Sequence, residues 1–242
     1  MTVDKALRQA VARRVVLRRG LSLGALSLLT GCDISDSDAV QTALHAVSRW
    51  NDRVQAALFS GHRSAREYAA GEVAPVFRFN AFYPVKDVAP VDGATYRLGL
   101  AGRIADKRPW TAAQLMMLPR ADQRTRHVCV EGWSYVGEWS GPRLSTFLQR
   151  VGADLTAKYV GFECADGYYE GLDMPTALHP QTIMAVTARG ETLPDRFGFP
   201  LKIRVATKLG FKNPKWVTAI WVTNDRPPGF WTDRGYNWFS GI

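Results

Sequence analysis

The sequence predicts an α+β domain dominated by strands, and three observations carry that prediction. Turn residues cut the chain from Val76 onward into short β-rich runs at 95–100, 127–130, 158–164, 201–205 and 216–224. Helical periodicity in that region is confined to 111–118 and 142–151. The 242 residues, 46% of them hydrophobic, are enough to bury one core of ordinary size. Many short strands with few helices give mixed sheets rather than alternating βαβ units.

The first 31 residues read as an address rather than as fold. A basic stretch precedes the apolar run 21–29, which is too short to span a bilayer as a permanent helix. Arg18-Arg19 followed by Gly-Leu-Ser-Leu resembles a twin-arginine signal, read by a pathway that exports folded proteins. Leu29-Thr30-Gly31-Cys32 resembles a lipobox, which would make Cys32 the lipidated first residue of the mature chain. Folded export suits a protein whose cofactor is inserted in the cytoplasm. The expected location is the periplasmic side of the cell envelope, with a lipid anchor in the membrane. The same segment explains the charge. Six basic side chains against Asp4 place five of the nine net positive charges in it, and the four left over give no reason to expect nucleic acid.

Residues 32–75 form a helical segment and linker. Val40, Leu44, Val47, Trp50 and Val54 recur at helical spacing among His45, Arg49 and Asp52, so one amphipathic helix is expected to pack on the main domain. His45 and His62 read as solvated rather than as ligands. The domain itself spans 76–242. Within it Thr111 has the character of an N-cap before Ala-Ala-Gln-Leu, and Gly152 of a C-cap after Arg150-Val151. Nucleotide loops of the GxGxxG or GxxxxGK[ST] type and the HExxH zinc motif are absent. Three cysteines without a CxxC pair (Cys32, Cys129 and Cys164) exclude a disulfide framework, a zinc knuckle and a c-type haem site.

The chemistry-bearing segment is His127-Val128-Cys129-Val130-Glu131-Gly132-Trp133-Ser134, followed by Glu138-Trp139-Ser140-Gly141-Pro142. A lone cysteine at a strand end, leading into a Gly-Trp turn, is placed to present its sulfur to a cleft. This segment resembles the sulfite-oxidase family of molybdenum enzymes, nearest its periplasmic methionine-sulfoxide-reductase branch. Asn80-Ala81-Phe82-Tyr83, Tyr168 to Leu172, Leu178 to Met184, Gly198-Phe199-Pro200-Leu201 and Lys208 to Trp216 resemble further family segments in the same order. Together they cover about three-fifths of the chain, from Asn80 to Asn224. Three positions depart from the branch: Phe197 stands for an asparagine, Lys202 for an arginine and Cys164 for a threonine. Lysine keeps the charge but loses the planar fork, for which Arg204 on the same strand face could substitute.

The resemblance implies a sulfite-oxidase-type fold binding molybdopterin, with Cys129 as the thiolate ligand of molybdenum. It implies cofactor contacts at Asn80, Tyr83, Pro84, Cys164, Phe197, Lys202, Asn213, Pro214 and Lys215. Soft thiolates suit a high-valent metal in a sulfur–oxo shell, and Lys212 with Lys215 offers an anion pocket for the cofactor phosphate. Glu131, two residues beyond Cys129, would share its face in a strand and handle protons beside the metal. Trp133, Trp139, Trp216, Trp221 and Trp231 are expected in core and cleft wall, and Tyr236 in the core. The implied activity is two-electron oxygen-atom transfer, in the direction of reducing a small S-oxide or N-oxide. A monomer is expected, without the immunoglobulin-like dimerisation domain of true sulfite oxidases. No haem segment is present, so electrons are expected from a separate partner such as a membrane b-type cytochrome. One rival reading is oxidation of sulfite or a related sulfur compound. Another is a lipid-anchored binding module with a degenerate cofactor site. A thiol hydrolase using Cys129 and His127 fails because Val128 intervenes and no third residue orients the pair.

Overall fold

Strand alternation sets out the site before any ligand is considered. The structure is a computed structural model that describes residues 37–58 and 63–242. The signal at 1–31, Cys32 and His62 therefore lie outside the described residues. Along β3 (Ala121–Val128), Gln123, Thr125 and His127 are buried while Asp122 and Arg126 face outward. That is the two-residue period of a strand covered on one face. β4 (Ser134–Gly141) pairs antiparallel along the whole of β3, from Ala121 opposite Gly141 to Val128 opposite Ser134. Two short strands, β8 (Thr187–Ala188) and β9 (Glu191–Thr192), extend this sheet.

A second sheet has the order β2-β1-β11-β5-β6. β1 (Arg97–Gly102) runs parallel to β11 (Val217–Thr223), and the other pairings, with β2 (Trp110–Thr111), β5 (Tyr159–Cys164) and β6 (Tyr169–Asp173), are antiparallel. The third sheet is a ribbon of β10 (Lys202–Val205) on β7 (Thr182–Ala185). All four residues of β10 are buried. Ile203 and Val205 enter the core, so alternation sends Lys202 and Arg204 inward on the opposite face. β4 passes so close to β7 that a Cβ on Gly141 would collide with the Met184 carbonyl oxygen. Glycine is required there by space alone.

Helix α2 (Ala112–Met116) starts at Thr111 as its sequence predicts. The Thr111 hydroxyl accepts from the Gln114 amide at 3.2 Å, and the Gln114 side chain accepts from the Thr111 amide at 2.8 Å. Helix α3 (Leu144–Arg150) ends against Gly152, whose φ of +65° matches the expected cap. A fourth helix, α4 (Met174–Leu178), is capped by the Asp173 carboxylate. The main core joins the five-stranded sheet to α3 and α4 through Leu98, Phe147, Val160, Phe162, Leu172 and Ile220. A smaller cluster gathers Phe77, Trp139, Ile183 and Phe197.

The chain forms two compact units, Met1–Asn51 and Asp52–Ile242. Helix α1 (Asp38–Leu58) is amphipathic as its spacing predicts, and His45 is exposed. Within the second unit, Asp52 is buried and accepts from Arg226, from Asn237 Nδ2 at 2.7 Å and from the Phe239 amide at 3.0 Å.

Candidate functional site

Cys129 follows β3 directly and opens the hairpin loop to β4. Its amide donates to the Trp133 carbonyl at 2.9 Å, and the Gly132 amide donates back to the Cys129 carbonyl at 3.1 Å. This loop puts the half-buried thiol on a cleft of about 100 Å³. Asn80, Glu131, Asn213, Pro214 and Lys215 line the same cleft, so six of the residues expected from sequence come together there. Residues 129–132 are a turn, so the expectation that Glu131 shares a strand face with Cys129 does not hold. Glu131 nevertheless stays close. Its backbone amide bonds to the thiol sulfur, offsetting part of the rise that burial gives the Cys129 pKa. Its carboxylate accepts from the Trp133 indole at 2.6 Å.

Beneath the cleft lies a concentration of buried cations. Arg204 is fully buried and donates to Thr125 Oγ1 at 2.9 Å, to the Arg126 carbonyl at 2.8 Å and to Asn213 Oδ1 at 2.8 Å. Lys212 forms an ion pair with Glu170 at 2.6 Å, both side chains buried, so it does not belong to the expected anion pocket. Lys202 and Lys215 have no such carboxylate. The Lys202 ammonium reaches only the Asn213 carbonyl, at 3.4 Å, and Lys215 donates to the Asn80 carbonyl. Burial, with Lys215 and Arg204 adding their charge, pushes the Lys202 pKa well below its ordinary value. Burial brings Lys215 down to about 7.

His127 is another unsatisfied group. It is 1% exposed, and neither ring nitrogen has a hydrogen-bond partner. Burial and the charges of Arg204, Lys202 and Lys215 depress its pKa, so the ring is neutral. The 210–212 turn lies directly on it, for a Cβ on Gly210 would sit 2.6 Å from Nε2. Cations without counter-ions and buried polar atoms without partners are costly to leave so. They fit an anionic cofactor carrying a phosphate and hydrogen-bonding ring edges, and Cys129 could supply a soft ligand for its metal.

The other expected residues take different places. Tyr83 stacks on Trp216 and donates to Asp166 Oδ2 at 3.0 Å. Cys164 ends β5, buried opposite Val217. Pro84 is exposed and caps a 3₁₀ turn. The Phe197 ring packs against Phe77 and Trp139 in the smaller core, leaving only its backbone for a ligand. Asn213 spends its side-chain oxygen on Arg204 and on the Val205 amide. Tyr236, expected in the core, is 39% exposed. Trp216 and Trp231 line the cleft as expected, whereas sequence reasoning missed Asp166 and Tyr168 in its wall. Asp166-Gly167 between two β runs was the available signal for the first. Trp216, just after Lys215, has φ +55° and donates from its indole to the Asp195 carbonyl at 2.7 Å. Such a conformation is uncommon for a large side chain and gathers at functional sites.

The sequence matches the family described as oxidoreductase molybdopterin binding domain over residues 85–231. A protein of Azospira oryzae, named as a candidate protein-methionine-sulfoxide reductase subunit, is 54% identical over 230 residues, 95% of this chain and 88% of that protein. Protein-methionine-sulfoxide reductase catalytic subunits of Burkholderia mallei and Gluconobacter oxydans are 28% and 30% identical over 68% of this chain. The chain spans little more than half of those two proteins, 58% and 56%. The crystal structure of a sulfane dehydrogenase from Paracoccus pantotrophus matches with a TM-score of 0.54 over 57% of this chain and 41% of its own, at 20% identity, a likeness of fold alone.

Proposed function

The chain belongs to the oxidoreductase molybdopterin binding domain family, and on that premise we propose that it reduces a small S-oxide or N-oxide at a molybdenum held by Cys129. It is a molybdenum-cofactor-dependent oxidoreductase with the α+β, sulfite-oxidase-type molybdopterin-binding fold. The names of the relatives support methionine sulfoxide as the substrate class. The observation that carries the site is a half-buried thiol on a cleft beside buried Lys202 and Lys215, neither of which is held in an ion pair among the described residues.

When bound, the cofactor supplies a two-electron couple and an acceptor for the oxygen atom. Reduction of an S-oxide consumes two electrons and two protons and yields thioether and water. The protein's own residues make this feasible. Cys129 gives up its proton on loading and anchors the metal. Lys215, Lys202 and the backbone around Asn213 hold the anionic end, while the neutral His127 ring, beneath the 210–212 turn, can donate or accept one further hydrogen bond. Glu131 sits at the solvent edge of the cleft, tied to Trp133, where a carboxylate can pass a proton from water to the oxygen that leaves.

The test is steady-state turnover with sulfoxides, N-oxides and sulfite, paired with metal analysis. Cys129→Ser should fold, keep part of its molybdenum and show little or no turnover, since a hydroxyl binds the metal far less well than a thiolate. Parent-like turnover in that variant would falsify the assignment. Sulfite oxidation in place of sulfoxide reduction would reverse the direction and leave the site intact.

Location and partner belong to the same proposal. Arg18-Arg19 and the Leu29–Cys32 stretch support twin-arginine export followed by lipid attachment at Cys32, on the periplasmic side of the membrane. Among the described residues no helix is long and apolar enough to cross a membrane. The relatives are named as subunits, which supports a separate electron donor, and a membrane b-type cytochrome suits an anchored enzyme.

A further inference from the structure

A cavity larger than the cofactor cleft lies elsewhere in the domain, and the two share no lining residue. It measures about 420 Å³ and opens on the other side of the β3 end, where Arg126 and Val128 point away from the buried row. Arg63, Arg66, Arg126 and Lys208 line it, and no aspartate or glutamate does. Arg66 and Arg126 both lie over the Tyr68 ring, at 4.7 and 5.6 Å from its centre, so one aromatic ring holds two guanidinium groups. Arg66 has a loose ion pair with Glu72, at 3.6 Å and largely exposed, of the kind that contributes little.

The floor shows that the charge is built in rather than accidental. Lys208 is 3% exposed and its ammonium makes no hydrogen bond. Asp173 lies 3.8 Å away, but its two oxygens already cap α4, taking the Thr176 hydroxyl at 2.6 Å and the Thr176 amide at 3.2 Å. Three arginines at the rim and a lysine on the floor offer more donors than the two loosely placed carboxylates, Glu72 and Asp173, can use. A phosphate, with nearly two charges and three or four acceptor oxygens, uses them better. The cavity has room beyond the phosphate for an organic group against Tyr68, Phe239 and Ile242.

We propose that this cavity is a second anion site, distinct from the cofactor cleft, that takes the phosphate of a phosphorylated ligand. Two sources share that chemistry: a soluble phosphorylated metabolite and an anionic phospholipid headgroup. The expected anchor at Cys32 would keep the protein at a membrane, where anionic headgroups are available. The site does not depend on the reductase reading; only the lipid source depends on the proposed anchor.

The experiment uses the cofactor-loaded, full-length protein, so that inorganic phosphate cannot enter an empty cofactor site instead. Binding is read by calorimetry and by the Tm in phosphate against chloride of equal ionic strength. Phosphate should raise the Tm where chloride does not. Arg66→Ala/Arg126→Ala and, separately, Lys208→Met should each weaken phosphate binding at least tenfold. The arginine pair is exposed, so that variant should keep its fold, its molybdenum and its sulfoxide turnover even if Lys208→Met is unstable. Vesicle sedimentation of the full chain carrying Cys32→Ala separates the sources. Preference for phosphatidylglycerol over phosphatidylcholine, lost with the two arginines, identifies a headgroup. Phosphate binding with no such preference identifies a soluble ligand. Equal response to phosphate and chloride, or undiminished phosphate binding in the arginine variant, overturns the proposal. Loss of sulfoxide turnover in the parent protein would bear on the reductase reading alone.

Discussion

Lys215 donates to the Asn80 carbonyl and lies 4.3 Å from the centres of both the Phe79 and Trp216 rings, without a carboxylate partner. A charge-assisted contact from it to the cofactor is worth about 1.5–3 kcal/mol, roughly ten- to more than a hundred-fold in binding. Lys215→Ala should therefore lower the molybdenum and pterin content of the purified protein, while each loaded molecule turns over near the parent rate. Full occupancy in that variant would return the lysine to a structural role. Its titration gives a second prediction. Burial lowers both Lys215 and Lys208 from 10.5 to about 7 in the absence of a ligand. Between those values the unfolded chain binds more protons than the folded one, so the stability of cofactor-free protein rises with pH. Once an anion holds Lys215 in its charged form, that part of the slope disappears. The Tm of cofactor-free protein should climb more steeply from pH 7 to pH 8.5 than that of loaded protein; parallel curves would count against the pairing.

The elements that carry the site differ in how far their sequence discloses them. Helix α2 was legible because Thr111 and Gln114 form a local capping box, β5, β10 and β11 because β-branched and aromatic residues mark them, and β1 through Thr95-Tyr96 just before it. β4 was not. Its Ser-Tyr-Val-Gly-Glu-Trp-Ser-Gly run has two glycines and little β-propensity, and pairing with β3 along its length makes it a strand. β6 and β7 are likewise fixed by their neighbours. The thiol and its turn could be read from a motif, whereas Asp166 and Tyr168 reach the cleft only through tertiary packing that spacing does not encode. The charges of β10 were legible but their burial was not, because burial depends on what β7 and the Asn213 turn place over them. One element contact is open to direct measurement. Glu170 on β6 and Lys212 in the 210–212 turn form a fully buried pair. Glu170→Ala leaves a buried ammonium uncompensated and should cost about 3–5 kcal/mol in urea unfolding. Adding Lys212→Met should recover much of the loss, because the orphaned charge goes with it; a double variant as unstable as the single would mean that shape, and not charge, sets the cost.

At the scale of the whole molecule, the cofactor site is a consequence of the core and not an attachment to its surface. Lys202 and Arg204 sit on a strand buried on both faces, and His127 lies under the 210–212 turn. A phosphate-bearing group bound against these positions would stabilise the folded state, so loading and folding stability are expected to be coupled. A route that threads unfolded chain across the membrane would separate the two, since the cofactor would have to follow independently. Export of the folded protein would keep them together, which is the physical purpose the proposed Arg18-Arg19 signal would serve. Replacing both arginines with lysine keeps the charge and removes the guanidinium geometry that the export receptor distinguishes. The variant should collect in the cytoplasm as a precursor with the parent's molybdenum-to-protein ratio and full sulfoxide turnover when an artificial electron donor is supplied. Metal analysis of separated cytoplasmic and periplasmic fractions makes the comparison. If the retained precursor is instead devoid of molybdenum while the periplasmic parent is loaded, insertion follows export and the coupling described here is wrong. If the lysine variant reaches the periplasm as efficiently as the parent, the twin-arginine assignment fails, whatever the metal content.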